Sequence, residues 1–110
     1  MIQQQIEQIK AKVENTDGMP PETKAELLNL LASLEVQIGG LAETHADDAH
    51  SVATFAAAST HEATRSEPKP ELLQSALSGF TGSAAGLEAS HPKLAEVVNA
   101  IAVTLSNMGI

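Results

Sequence analysis

A chain of 110 residues is the length of one ordinary domain, and six basic against fourteen acidic residues leave it a net charge of −8. That balance excludes the basic face needed to hold nucleic acid or an anionic lipid surface. The absence of cysteine excludes disulfides, thiolate metal ligands and thiol catalysis.

Apolar residues recur at alternating spacings of three and four along most of the chain, the signature of helices with one buried stripe. The first stripe is Ile2, Ile6, Ile9 and Val13, which predicts a helix over 2–15. Asp17-Gly18-Met19-Pro20-Pro21 then breaks it. A second helix over 21–38 starts with Pro21 at its first position and Glu22 near the positive end of its dipole. Leu27, Leu28, Leu30, Leu31, Leu34 and Ile38 give it a wide apolar arc, enough to face two neighbours. Gly39-Gly40 is expected to end it, because two adjacent glycines cost a helix interior about 2 kcal/mol relative to alanines.

A third helix is predicted over 43–65, with Thr44 and Asp47 spaced as a capping box. Its stripe is Ala42, Ala46, Ala49, Ala53 and Ala56, flanked by Val52 and Phe55. Alanine buries little area per contact, so this segment reads as the weakest packer in the chain. Ser66-Glu67-Pro68-Lys69-Pro70 is a linker. A fourth helix over 70–88 carries Leu73, Leu77, Phe80, Ala84 and Leu87, with Ser75, Gly79, Gly82 and Gly86 on the other side. Those glycines are either tolerated or mark a face against which another helix lies close. The fifth helix, 92–108, places Leu94, Val98, Ile101, Leu105 and Met108 on one stripe. Pro92 stands at its first position, Ser90 or His91 caps its amides, and Gly109 lies just past its end.

The fold class is therefore all-α: helical hairpins forming a bundle of four to five helices within one domain, 1–110. Leu, Ile, Val and Phe number 26 and alanine 18, a thin aliphatic core for one chain. Self-association, with a dimer as the expected assembly, would add to it. An unknown protein partner is the other interaction the helices allow. No stretch reaches 18 apolar residues, so no membrane partner is expected. Polar residues interrupt Met1–Pro20, so no secretion signal is read there and a cytoplasmic location is expected.

Residues 1–40 and 70–110 resemble an uncharacterised family of small bacterial proteins, a domain of unknown function built as helical hairpins. The matching features are the Gln/Glu-rich first helix Gln3–Val13, the Leu-rich run Leu27–Leu34, His91-Pro92 and the ending Asn107-Met108-Gly109-Ile110. The resemblance implies the fold and brings no activity, cofactor or partner. The chain departs from the pattern over Leu41–Glu67, so 41–67 is expected to be an inserted helix separable from a core made by the other four.

The best candidate for chemistry is His45-Ala46-Asp47-Asp48-Ala49-His50, with His61-Glu62 further on. His45 and Asp48 are one turn apart, as are Asp47 and His50, so either pair could present two metal ligands from one face. The third ligand at fixed spacing that strong metal motifs supply is missing. The alternative is a solvated flank beside the alanine stripe. If the second helix instead ran on through Gly39-Gly40, its register would carry His45 and Asp48 into a buried polar layer. Glu88-Ala89-Ser90-His91 has the spacing of carboxylate-bridged di-iron bundles but straddles a turn and has no second copy. Gly82-Ser83-Ala84-Ala85-Gly86 misses the spacing of a nucleophile elbow. The expectation is a non-catalytic protein without a cofactor that acts through association. A metal-binding protein using His45, Asp48, His50 and His61 is the alternative.

Overall fold

The apolar stripes close into one five-helix bundle in the computed structural model, which describes residues 2–108. The expected stop at Gly109 lies outside the described residues. Helix α1 (Ile2–Glu14) buries Ile6, Ile9 and Val13. The chain then turns at Gly18, whose φ of +84° is left-handed backbone that suits glycine. Lys24, from the next helix, donates to the carbonyls of Glu14 and Thr16 at 3.0 Å each, meeting the negative end of α1.

Helix α2 (Pro21–Ala42) begins at Pro21 as expected and runs straight through Gly39-Gly40. The expected end at residue 38 is therefore four residues too early. Both glycines face solvent with no neighbouring atom within 4 Å of where a Cβ would stand, while Ile38 and Leu41 on either side are fully buried. Burying a leucine contributes about 1.5–3 kcal/mol, which offsets the glycine cost. The helix stops after Ala42, where the His45 amide donates back to the Leu41 carbonyl at 2.7 Å.

Helix α3 (Ala46–Ala63) starts three residues later than expected and ends two earlier. No capping box forms: His45 holds the cap position without a side-chain bond to the helix amides, and the Thr44 hydroxyl is engaged with the His45 ring instead. Helix α4 (Pro70–Ala85) ends three residues short of the expected 88, in turns closed by Leu87 and Glu88 amides on the Ala84 and Ala85 carbonyls. Helix α5 (Pro92–Met108) has the expected bounds. The Ser90 hydroxyl lies 3.0 Å from His91 Nδ1, so it too goes to a ring rather than to a free amide.

Helices α2, α3, α4 and α5 pack in a ring in chain order, with α5 closing back on α2. Helix α1 lies in the outer groove between α2 and α3, held there by its three buried side chains and by Lys10. The Lys10 ammonium reaches Glu7 at 3.2 Å and Glu35 of α2 at 3.5 Å. Its hydrogen bond to Glu7 holds that carboxyl below the usual range and raises Lys10 itself.

The alanine helix is the one element in contact with all four others. Ala49, Val52, Ala53 and Ala56 are fully buried, in the same cluster as Leu34, Phe80 and Ile101. The reading of 41–67 as a separable insert took alanine as weak packing. A helix surrounded on several sides has no room for leucine, and small side chains let its neighbours come close. That principle is sharpest at Gly79 of α4. A Cβ built there would fall 2.8 Å from Phe55 Cζ and nearer still to the rest of the ring edge. Of the glycine stripe, only Gly79 serves close approach; Gly82 and Gly86 face open space. Alanine is favoured over glycine in a helix by about 1 kcal/mol, yet Gly79→Ala should lower the melting temperature because Phe55 must move. In a Phe55→Ala background the same substitution should raise it. Equal effects in both backgrounds, read in a double-mutant cycle, would show that the two residues do not meet.

The hairpin α2–α3 recurs as α4–α5. Leu27, Leu31, Leu34, Ile38 and Leu41 are followed 46 positions later by Leu73, Leu77, Phe80, Ala84 and Leu87, all buried except the half-buried Leu77. At the same offset, Gly40-Leu41 matches Gly86-Leu87, Thr44-His45 matches Ser90-His91, and Ala49, Val52 and Ala56 match Ala95, Val98 and Ala102. The turns match in their hydrogen bonds as well. Each histidine amide donates to the carbonyl of the leucine four residues back, at 2.7 Å, and each histidine carbonyl accepts from the alanine four residues on.

Candidate functional site

The four residues singled out as metal ligands are not brought together. Among the described residues, no group of three or more His, Cys, Asp or Glu side chains is placed to hold a metal ion. His45, Asp48 and His50 are exposed at the start of α3. His61 is at the other end of that helix, about four turns away, with its ring 4.0 Å from Glu62. The buried polar layer that a continuous second helix would create is also absent, because α2 turns off after Ala42 and leaves His45 and Asp48 outside the core. His45 instead meets His91, which the sequence offers as a cap or as half of a Glu-x-x-His pair with Glu88. Their ring centroids are 5.8 Å apart and the planes stand at 80°, an edge-on contact. Thr44 Oγ1 lies 2.8 Å from His45 Nδ1, and Ser90 Oγ lies 3.0 Å from His91 Nδ1, so the two repeats meet through matching pairs. The signal that could have found this contact is the fixed offset between Thr44-His45 and Ser90-His91.

The second candidate is a surface. Helix α4 carries no charged residue after Glu71, and α5 carries none after Glu96. Between them runs a shallow groove of about 350 Å³ at one end, lined by Gln74, Leu77, Ser78 and Thr81 on α4 and Asn99, Ala102, Val103 and Ser106 on α5. It continues past Gly82, Ala85 and Ala95 to Glu88, the one charged residue on its walls. Val103 stands in this groove 60 % exposed. No catalytic constellation converges among the residues lining this groove; what it offers is area, shape and a stretch without charge beyond Glu88.

Other grooves carry mixed character. One between α1 and α3 is lined by Gln5, Gln8, Ile9, Lys12, Ala57, Thr60 and His61. The buried hydroxyls of Thr60 in its lining and of the adjacent Ser59 have no hydrogen-bond partner among the described residues. Among the described residues no helix is long and apolar enough to cross a membrane.

No curated protein and no solved structure matches the chain. A family model does match, over residues 2–110, and so runs through 41–67 as well as the segments on either side. The chain belongs to that family, which is described as a domain of unknown function (DUF4404).

Proposed function

We propose that this is a non-catalytic helical protein that works through protein–protein association, first of all with a second copy of itself as a homodimer. The observation that carries the reading is the stretch of the α4–α5 groove from Gln74 to Thr81 and from Asn99 to Ser106, whose walls carry no charged residue. Copies that each carry −8 repel one another wherever their acidic residues face. They can approach closely only through a surface from which those residues are missing. That stretch is such a surface, bounded by Glu88 at one end, and it leaves Val103 in water where association would bury it. The five helices satisfy one another within a single chain, so association is not needed to complete the core; it uses what the finished fold leaves outside.

Light scattering on the purified chain over a dilution series at micromolar concentration tests this. The expected mass is twice the 11.4 kDa of one chain, falling toward one chain on dilution. A single-chain mass at every concentration would overturn the reading.

A further inference from the structure

We propose that the groove between α1 and α3 is a binding site for a small monocarboxylate, an anion with a short apolar body. The site goes beyond the association reading and does not depend on it.

The groove has a volume of about 200 Å³. Ordinary small-molecule sites run to about 300–1,000 Å³, so its occupant is a few heavy atoms rather than a nucleotide or a peptide. Ile9, 4 % exposed, and the half-buried Ala57 supply apolar surface. Gln5 and Gln8 bring amide donors, Lys12 an ammonium and His61 a ring N–H. Thr60 lines the groove as well. It is 2 % exposed, and its hydroxyl has no hydrogen-bond partner among the described residues. A buried hydroxyl in that state has given up its bonds to water and gained nothing in return, which few native groups do. A carboxylate oxygen only accepts, and it would complete that hydroxyl while meeting the surrounding donors.

Charge selects the occupant. The chain carries a net −8, yet the walls of this groove hold Lys12 and His61 and no carboxylate. Glu62 comes no nearer than 4.0 Å to the His61 ring and is held by Arg65 at 3.0 Å. Lys12 makes no ion pair among the described residues, whereas Lys10 is held by Glu7 and Glu35. In the adjoining groove Arg65 is balanced by Glu67, so the positive stretch ends there. Lys12 and His61 stand in the last turns of α1 and α3, where helix dipoles favour cations. The dipoles account for the sign of those two residues and leave the Thr60 hydroxyl unanswered. One lysine matches one negative charge, and the Ile9 and Ala57 surface suits an alkyl chain behind it rather than a bare inorganic anion.

Pentanoate is the probe, titrated into the full isotope-labelled chain and followed amide by amide by NMR. Saturable shifts should centre on Gln8, Lys12, Thr60 and His61, with a dissociation constant in the millimolar range. Acetate, which lacks the alkyl chain, should bind about tenfold more weakly. Lys12→Gln and Thr60→Val should each weaken pentanoate about tenfold by removing a hydrogen bond to the carboxylate. Lys93→Gln, at an exposed lysine outside the groove, should leave it unchanged. Thr60→Val should also raise the melting temperature, because an unpartnered hydroxyl becomes a methyl of the same shape. Weaker binding by a more stable fold separates recognition from damage. Should Thr60→Val disturb the fold, the exposed Lys12→Gln decides. Shifts that do not saturate or that centre elsewhere would overturn the site, as would undiminished binding in both groove variants. Acetate binding as tightly as pentanoate, or equal weakening by Lys93→Gln, would overturn it as general anion attraction. Any of these results leaves the association reading standing.

Discussion

Replacing Ala42–Arg65 with a short Gly/Ser linker should leave a chain that no longer melts cooperatively. Such a linker removes Ala49, Val52, Ala53 and Ala56 from the core and strips α1 and α4 of one of the two helices that each packs against. Helix α1 would then rest on α2 alone and α4 on α5 alone. Isolated helices of this length are marginal in water, so two-helix contacts of that kind cannot hold them. The loss should exceed the whole stability of a small domain, about 5–15 kcal/mol. A thermal scan followed by circular dichroism decides it: a broad, non-cooperative decline is expected, and a sharp transition with most of the helix signal would show that four helices own a core.

Ile101→Ala should be the most damaging kind of single truncation, at about 2–5 kcal/mol. Ile101 is fully buried on α5, the helix that meets α2, α3 and α4. A cavity there cannot be filled without moving several elements at once. For a domain of this size such a loss lowers the melting temperature by roughly 10 °C or more. Asn99→Ala, two residues away on the exposed side, should stay within about 0.5 kcal/mol of wild type. Urea titrations at concentrations low enough to keep the chain monomeric give both numbers. Equal losses would place the wrong face of α5 toward the core.

The stripes legible in the sequence, from Ile6–Ile9–Val13 to Leu94–Val98–Ile101–Leu105, are largely the stripes the structure buries, with Ala46 and Phe55 of the alanine helix left exposed. Prolines announce the starts of α2, α4 and α5 because a first-turn amide needs no partner. The errors share a cause: local propensity was read without the packing that overrides it. Gly39-Gly40 is a break by propensity and a helix interior in the structure, because Leu41 beyond it is needed in the core. The alanine stripe buries little area per residue, which says nothing of how many neighbours a small helix face can admit. The expected departure of Leu41–Glu67 from the family pattern rests on the resemblance alone, and the family match spans that segment.

The site was less legible than the fold. His45, Asp48, His50 and His61 were grouped by nearness in sequence, and the contact that forms, His45 with His91, joins equivalent turns of two repeats. The charge-free run of α4 and α5 was present in the sequence, yet its meaning depends on which side of those helices α2 and α3 leave uncovered.

The account turns on α3 being the hub of the bundle, and native-state hydrogen exchange on that helix tests it most directly. The amides from Val52 to Ala56 should exchange only through global unfolding, with protection equal to that of the best-protected amides of α5. Exchange of those amides through a cheaper opening, while α2, α4 and α5 stay protected, would contradict it.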